Sequence, residues 1–293
     1  LMQDQVSALQ TCGVKANALH SHQTTDEQEA VIATLKRGAI DLLYVSPERL
    51  MTTSMRYLLK NININLFAID EAHCVSMWGH DFRADYQALS CLAESFPSIP
   101  RIALTATADT QTQAEIIEQL QLGEDALFCA GFDRPNIRYW ISDNALSPRE
   151  DLKQFIIKHH PKQTGIIYCL SRKKVETTAL WFKQQGFNAH PYHAGLSAED
   201  RSTTLKRFSK EEDIIVVATL AFGMGIDKPN VRFVAHLSLP KNIESYAQEV
   251  GRAGRDGNPA DAWMHYGYQD VISIHRMIDS NQAPDVRKVV EKN

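Results

Sequence analysis

Two adjacent carboxylates follow directly on a short apolar run in the first half of the chain. The run 66–69 precedes Asp70, Glu71, Ala72 and His73. If the run is a buried parallel strand, both carboxylates lie at its carboxyl end, the edge where α/β sheets bind ligands. There Asp70 can hold Mg²⁺ through water and Glu71 can deprotonate an attacking water, the two roles that nucleotide hydrolysis requires. Acidic residues also favour helix N-termini, so the tetrapeptide by itself supports a capping role equally well.

A glycine-rich segment much further along the chain carries two arginines. Residues 248–257 read QEVGRAGRDG, and Arg252 and Arg255 come just after a predicted helix. Such arginines present planar, bidentate donors on a backbone that can approach a phosphate closely. The alternative is a solvated arginine turn, which the carboxylate pair upstream disfavours.

Apolar runs that predict buried strands alternate with capped, helical patterns along both halves of the chain. This alternation predicts an α/β fold with mostly parallel sheets covered on both faces. The predicted strands are 41–45, 65–69, 101–104, 126–129, 165–169, 189–192, 213–218 and 231–236, and the predicted helices are 24–36, 109–122, 172–185, 198–208 and 242–250.

Length and composition are those of an ordinary globular chain with about two domains, at 293 residues, 44% hydrophobic and 23% charged. Segment 133–149 contains two prolines and several turn formers, which predicts a boundary near its start. We expect a first domain over 1–132, a second over 133–280 and the start of a linker over 281–293.

The charge differs between the two halves. Residues 1–132 contain 8 basic and 16 acidic side chains, a net charge of −8, whereas residues 133–293 contain 23 and 19, a net charge of +4. The overall charge of −4 lacks the strongly basic footprint usual for nucleic-acid binding, but the second half is mildly basic.

Cysteines and hydropathy indicate the compartment. The five cysteines are scattered and include no C-x-x-C pair, which predicts free thiols instead of disulfides or a zinc site. No stretch approaches the roughly 18 unbroken apolar residues of a membrane span, and the start lacks the layout of a signal peptide. We therefore expect a soluble, intracellular protein with no membrane partner.

A series of blocks in a fixed order closely resembles the RecQ family of superfamily two DNA helicases. The stretch DEAHCVSMWGHDFR in particular separates RecQ-like enzymes from DEAD-box RNA helicases and other DEAH proteins. The matching blocks are LMQDQV (1–6), YVSPERL (44–50), DEAHCVSMWGHDFRADY (70–86), ALTATA (103–108), FDRPNIRY (132–139), GIIYCLSRKKVE (165–176), YHAGL (192–196), VVATLAFGMGIDKPNVRFVAH (216–236) and SYAQEVGRAGRDG (245–257).

The resemblance implies two tandem RecA-like lobes, the first truncated at its N-terminus. ATP and Mg²⁺ would bind between them and single-stranded DNA would run across their tops. The implied activity is ATP-dependent unwinding of duplex DNA from three-prime toward five-prime in recombination and repair, on single-stranded and branched duplex DNA. The implied location is the bacterial nucleoid in the cytoplasm, or the nucleus in a eukaryote, with the bacterial one favoured.

The resemblance also assigns roles around the carboxylate pair. Asp70 would hold Mg²⁺ through water, Glu71 would be the general base, and His73 would link the nucleotide to the DNA side of the lobe. Thr105 and Thr107 would couple hydrolysis to lobe movement.

The second lobe would supply further nucleotide contacts. Gln248 would contact the nucleotide or its water, Arg252 and Arg255 would reach the phosphates, and Asp227 is a candidate for the ribose hydroxyls. One of the two arginines can instead brace the loop through a carboxylate, with Asp256 as a partner.

An aromatic-rich loop after the carboxylates is the main DNA-binding candidate. Trp78 and Phe82 can stack on bases, and Arg83 adds charge for the DNA backbone. Phe82 and Tyr86 are spaced i, i+4, which favours inward packing of Tyr86 and leaves Trp78 the better DNA contact. Further candidates for phosphate contacts, each equally able to cap a helix or lie on the surface, are Gln3, Ser46, Arg49, Ser171 and Arg172.

The sequence departs from the family pattern in one motif. It begins inside the third conserved block, and no G-x-x-x-x-G-K-[ST] phosphate loop or substitute GK[ST] occurs in it. We therefore expect these 293 residues to be inactive as an ATPase on their own. Zinc is expected only in the family's C-terminal region beyond this chain. The alternatives are a DNA-binding or remodelling module without ATPase activity and an RNA-dependent ATPase, which WGHDFR disfavours.

Overall fold

The chain forms two compact α/β units, Leu1–Phe132 and Asp133–Asn293. This computed structural model describes residues 2–20, 23–76, 83–123, 127–131, 133–143, 147–223, 228–240 and 242–267. The sequence prediction of an α/β fold with parallel strands is confirmed, because every strand pair among these residues is parallel.

The first unit contains two parallel strand pairs, β1 with β2 and β3 with β4. Leu19, Leu58, Leu92 and Ile116 belong to a buried cluster beneath them. The strands are β1 (Ala16–Leu19), β2 (Leu42–Val45), β3 (Phe67–Ile69) and β4 (Arg101–Ala103). The helices are α1 (Met2–Thr11), α2 (Thr25–Lys36), α3 (Pro47–Leu50), α4 (Thr53–Lys60), α5 (Ala84–Gln87), α6 (Cys91–Ser95) and α7 (Thr110–Gln119), with 3₁₀ turns at Ala72–Val75 and Ala88–Ser90.

Side-chain caps fix the starts of the two longest helices predicted in this unit. Thr24 and Glu27 form a reciprocal capping box at the start of α2. Asp109 accepts a hydrogen bond from the Thr112 backbone N–H at 2.8 Å at the start of α7. Since α7 follows β4, this cap sets where the chain turns after the sheet edge.

The second unit contains one six-stranded parallel sheet in the order β5-β10-β9-β6-β8-β7. Alternate residues of β6 and β8 enter different clusters: Ile166 and Val216 pack on one face, and Ile167 and Val217 on the other. The strands are β5 (Ile137–Ser142), β6 (Gly165–Tyr168), β7 (Asn188–Tyr192), β8 (Ile214–Ala218), β9 (Phe233–His236) and β10 (Ala260–His265). The helices are α8 (Pro148–His159), α9 (Arg172–Gln184), α10 (Ala198–Lys210) and α11 (Ile243–Val250).

One sequence prediction about elements is wrong. Residues 127–131 form no strand, and the side chain of Phe128 is 93% exposed, so this apolar run has no sheet to join. The sequence analysis also did not identify β5 in the proline-containing segment 133–149, because it is an edge strand whose exposed residues hide the apolar pattern of a buried strand.

The cysteine prediction is confirmed, because all five cysteines are free thiols. No helix in the described part of the chain has the length and apolar character to cross a membrane.

Candidate functional site

The carboxyl end of β3 places the acidic pair beside the segment that follows β4. Ile69 pairs with Ala103 in the parallel ladder. The Leu104 backbone N–H then donates to the Ile69 carbonyl at 2.8 Å, and the Ala72 N–H donates to the Leu104 carbonyl at 2.9 Å. These bonds bring the 70–73 and 103–108 segments together at one sheet edge, where ligands of parallel sheets bind.

The backbone of Glu71 is unusual for a residue with a side chain. Its φ of 51° and ψ of 42° lie in the left-handed region, which costs roughly 1–3 kcal/mol and is concentrated at functional sites. Its N–H donates to Oδ1 of Asp70 at 2.9 Å, and both residues are solvent-accessible. The two carboxylates therefore project from a tightly fixed turn, and the alternative of an ordinary helix N-cap does not describe Glu71, which makes no side-chain cap bond.

His73 connects this turn to the threonines after β4. Its ring is buried, and Nδ1 lies 2.9 Å from Oγ1 of Thr105 and 3.5 Å from Oε2 of Glu71. The Thr105 hydroxyl in turn accepts from the Thr107 N–H at 3.3 Å. The structure thus brings together five of the residues predicted to act in hydrolysis and coupling, with His73 between Glu71 and Thr105: Asp70, Glu71, His73, Thr105 and Thr107.

The described residues on either side of the predicted aromatic-rich loop are anchored. The Arg83 N–H donates to the Cys74 carbonyl at 3.1 Å. The hydroxyl of Ser76, which is fully buried, donates to Oε2 of Glu115 in α7 at 2.7 Å. Trp78 and Phe82 lie outside the described residues.

Tyr86 packs inward, as its spacing predicts. It lies against the buried cluster of the first unit. Burial is the main cause that raises the pKa of Tyr86 to about 12, followed by the proximity of Cys74. Its hydroxyl therefore stays protonated at physiological pH.

Three further DNA-binding candidates belong to the first unit. Ser46 caps α3 by accepting from the Arg49 N–H at 3.4 Å, and both residues are half-buried. Gln3 lies in α1, and its side chain lies outside what the structure describes. Capping fixes the Ser46 hydroxyl on its own helix, so its DNA role stays a prediction.

The arginine-containing turn of the second unit is held by residues of the 132–139 block. The Arg134 guanidinium donates to the carbonyls of Gly251, Ala253 and Gly254. Asn136 donates to the Gly254 carbonyl at 2.8 Å and to a second carbonyl across the turn. Gly254 has a φ of +55°, and a Cβ there would lie 2.5 Å from the Asn136 side chain, so the turn requires glycine at this position.

The candidate residues on this turn differ in exposure. Arg255 is exposed, whereas Gln248 and Arg252 are half-buried. The suggestion that Asp256 pairs with one of the two motif arginines is wrong: its carboxylate accepts two hydrogen bonds of 2.7 Å from Arg232. The Arg232 hydrogen bonds are the main cause that lowers the pKa of Asp256 to about 2. Arg232 lies just before β9 and had no predicted role, so spacing alone gave the wrong partner.

The remaining candidates of the second unit lie near the carboxyl ends of β6 and β7. Ser171 caps α9 through the Lys174 N–H at 3.2 Å. The exposed Arg172 side chain passes 3.1 Å from the position of a Cβ on Gly195, next to His193. His193 is buried, and its Nε2 lies 3.0 Å from Oε1 of Glu176. Asp227 lies outside the described residues.

Sequence reasoning missed the residues that support these sites. Arg134, Asn136 and Glu115 bind backbone or hydroxyl groups far away in the chain, at separations of 39 to 120 residues. Arg134 and Asn136 lie in a recognised block, which was the one available signal for them. Among the described residues, no group of three or more histidine, cysteine or acidic side chains is arranged to hold a metal ion.

Comparison with known proteins identifies the family. Residues 1–116 match the DEAD/DEAH box helicase family, and residues 147–257 match the helicase conserved C-terminal domain. The chain is 47% identical over 278 residues to the ATP-dependent DNA helicase RecQ of Pasteurella multocida, covering 95% of this chain and 44% of that protein. The chain belongs to the RecQ helicase family.

A eukaryotic RecQ-like relative extends this similarity. The RecQ-like DNA helicase BLM of Xenopus laevis is 41% identical over 289 residues, which cover 95% of this chain and 21% of that protein. The chain therefore spans less than half the length of these curated relatives. The recognition of a RecQ-family sequence from its motifs is confirmed.

Solved structures of helicases share the fold at low sequence identity. Mss116p bound to ssRNA and AMP-PNP superposes with a TM-score of 0.67 at 18% identity, over 91% of this chain and 55% of that one. Mycobacterium smegmatis helicase Lhr bound to ssDNA and AMP-PNP superposes with a TM-score of 0.60 at 19% identity, over 90% of this chain and 37% of that one. At these identities the likeness shows the fold alone, which is that of tandem RecA-like lobes.

Proposed function

We propose that the chain is the helicase core of a RecQ-type, ATP-dependent DNA helicase that couples ATP hydrolysis to unwinding. The observation that carries the proposal is the fixed turn after β3, where Asp70 and Glu71 project from one sheet edge and His73 contacts Thr105. This arrangement joins a metal-binding carboxylate, a base and a coupling residue within four positions. Family membership supports the same activity.

In the proposed reaction, Asp70 would hold Mg²⁺ through water, and the bound ion would supply positive charge that offsets the charge on the phosphates of ATP. Glu71 orients a water molecule and accepts its proton as the water oxygen attacks the γ-phosphorus. The bond from the γ-phosphorus to the bridging oxygen breaks, and ADP leaves with the bridging electron pair. Arg255 stabilises the negative charge on the transferred group, while Gln248 and Asp227 bind the nucleotide.

Coupling and DNA binding complete the proposal. His73, Thr105 and Thr107 transmit the state of the nucleotide to the DNA side of the first unit. Trp78 and Phe82 stack on bases of single-stranded DNA. The phosphate contacts are assigned to Arg83, Gln3, Ser46, Arg49, Ser171 and Arg172.

The finer parts of the proposal concern substrate and biology. We infer three-prime to five-prime unwinding, action on branched duplex DNA in recombination and repair, and a location at the bacterial nucleoid, with zinc bound only outside this chain. We also infer that the 293 residues alone do not turn over ATP, because they contain no GK[ST] phosphate loop. Displacement of a strand from duplexes with a three-prime or a five-prime overhang tests the polarity.

The central test uses Glu71→Gln in the full-length protein, with turnover measured with single-stranded DNA, with RNA and with neither. We expect DNA to stimulate wild-type turnover more than RNA does. Because an amide cannot act as the base, kcat of the variant should fall about 10²- to 10⁴-fold, with ATP and Mg²⁺ binding preserved. Glu94→Gln, at an exposed position of α6, is the matched control.

Two results would contradict the proposal. Loss of nucleotide affinity with a normal rate per bound ATP would remove Glu71 from the role of base. DNA binding by the wild-type full-length protein without any turnover would favour the DNA-binding or remodelling module.

A further inference from the structure

A buried hydrogen bond between a histidine and a glutamate lies next to the arginine-containing turn of the second unit. Nε2 of His236, at the end of β9, lies 2.5 Å from Oε2 of Glu249, in α11. Their side chains are only 1% and 6% exposed. Burying a carboxylate costs desolvation free energy unless the group is paired, so packing alone does not explain why a glutamate lies here.

Tyr168 joins the pair to the loop that follows β8. Its ring stacks on His236 with centroids 5.3 Å apart, and its hydroxyl donates to the Phe222 carbonyl at 2.7 Å. Burial raises the pKa of Tyr168, and the nearby guanidinium of Arg252 opposes that effect. Tyr168 therefore contacts the loop through its hydroxyl and lies close to Arg252.

Arg252 lies directly against the same loop. Its Nη2 is 3.1 Å from the position that a Cβ on Gly223 would occupy, and that Cβ would also lie 2.9 Å from the Leu220 carbonyl. Gly223 thus leaves the space that the guanidinium fills. The loop and the turn meet at Arg252.

The cluster also contains buried polar atoms whose hydrogen-bonding capacity is unused. Nδ1 of His236, Oε1 of Glu249 and Nε of Arg252 have no hydrogen-bond partner among the described residues. Buried polar atoms without a partner are rare in protein interiors. If the cluster served packing alone, apolar side chains of similar volume would stabilise the fold at least as well.

We propose that Tyr168, His236 and Glu249 are positioning residues that hold Arg252 against Gly223. The inference rests on the proposed function and deepens it: Arg252 fixes the turn to the 219–223 loop, so that Arg255 presents its guanidinium to the phosphate in one orientation. Rotation or displacement of the turn by about 1 Å would lower the rate by up to about 100-fold without removing any phosphate contact.

Kinetics of the full-length protein at saturating single-stranded DNA test this inference. Tyr168→Phe removes one hydroxyl without loss of the ring. Gly223→Ala places a methyl group where it crowds the Arg252 guanidinium from the side of the 219–223 loop. Each should lower kcat about 10- to 100-fold, with KM for ATP changed less than about twofold. Tyr246→Phe is the matched control, because Tyr246 also contacts His236 but its hydroxyl makes no hydrogen bond within the described chain.

A double-mutant cycle separates positioning from structure. In an Arg252→Ala background, neither Tyr168→Phe nor Gly223→Ala should lower kcat further. Additive losses, or unchanged kcat in both single variants, would overturn the inference, while thermal unfolding shows whether each variant is folded. Glu71→Gln is measured in parallel: normal turnover there would overturn the proposed function and this inference with it, whereas loss of turnover there with additive losses here would overturn the inference alone.

Discussion

Arg252 and Arg255 lie three residues apart but have different surroundings. Arg252 is half-buried against Gly223, whereas Arg255 is exposed on the same turn. A guanidinium that stabilises charge in the transition state must be able to reach a phosphate, and exposure is consistent with that role. The two arginines therefore deserve separate tests.

Arg255→Ala in the full-length protein should lower kcat by about 10³- to 10⁵-fold, because it removes a contact that is strongest in the transition state. DNA affinity should change little. Turnover and single-stranded DNA binding are measured for Arg255→Ala, for Arg252→Ala and for Arg56→Ala, a control at an exposed position of α4. Equal losses of DNA binding and turnover in Arg255→Ala would identify a DNA-contact or folding residue instead.

Residue types and their position after an apolar run selected Asp70 and Glu71, whereas His73 and Thr105 were selected only by the resemblance to RecQ helicases, and the structure brings these residues together. The two carboxylates were accessible to residue-level reasoning because they follow a strand predicted from its apolar run. The partner of Asp256 was not accessible. Arg232 is 24 residues away in the chain, and the parallel pairing of β9 and β10, with backbone hydrogen bonds between 229–231 and 254–256, brings the two segments together.

The elements that were predicted best are the buried strands. In β6 and β8, both faces are covered, so their sequences are continuous apolar runs. The strand β5 was missed because it is an edge strand with three exposed residues, and β10 because an aspartate and a histidine interrupt its apolar run. Whether a strand lies at the centre or at the edge of a sheet decides which of its residues are buried and which are exposed. The local sequence does not contain this information.

Asp256 links the turn to the start of β9, and its ionisation makes the free energy of unfolding depend on pH. Folding lowers its pKa from 3.8 to about 2, so the pair with Arg232 stabilises the fold fully above about pH 4 and progressively less down to about pH 2. Asp256→Asn should cost up to about 1 kcal/mol of unfolding free energy at pH 7, because the pair is partly solvated. The difference from wild type should shrink toward pH 2.

Denaturant unfolding at pH 7, 4 and 2.5 measures that difference. Glu199→Gln, at an exposed position of α10 in the same unit, controls for loss of one acidic charge. If Asp256→Asn lowered the free energy of unfolding by the same amount at all three pH values, protonation of the Asp256 carboxylate would not be linked to folding.

Helix α7 anchors the residues next to the predicted aromatic-rich loop through Glu115 and Ser76. Glu115→Ala in the full-length protein should reduce the stimulation of turnover by single-stranded DNA several-fold and leave basal turnover near wild type, because the bond lies away from Asp70 and Glu71. Glu115→Gln keeps an acceptor for Ser76 and should restore stimulation.

Trp78→Ala should give the same phenotype as Glu115→Ala, since the loop is proposed to bind bases. Glu118→Ala, at an exposed position of the same helix, is the control. Basal and stimulated turnover that fall together in Glu115→Ala would show that the bond serves the stability of the first unit instead of coupling.

At the scale of the whole molecule, the two units differ in charge and in completeness of their motifs. The first carries a net charge of −8 over residues 1–132, and the second +4 over residues 133–293. An acidic segment repels both nucleotide phosphates and DNA unless a metal ion or arginines offset it. Nucleotide phosphates could therefore bind the first unit only where a cation offsets its negative charge, which is the role proposed for Mg²⁺ at Asp70.

The 293 residues by themselves should unfold cooperatively but release negligible phosphate from ATP, even with single-stranded DNA. The physical reason is that no glycine-rich loop with its lysine is present in these residues to hold the β- and γ-phosphates, so the proposed metal-binding Asp70 and the proposed base Glu71 would have no fixed substrate to act on. Joining the chain to a segment of a RecQ relative that carries the phosphate loop should restore DNA-stimulated turnover. The same fusion with Glu71→Gln should stay inactive, which excludes activity contributed by the added segment alone. DNA-stimulated turnover by the 293 residues alone, abolished by Glu71→Gln, would instead show that the carboxylate site holds ATP productively without that loop.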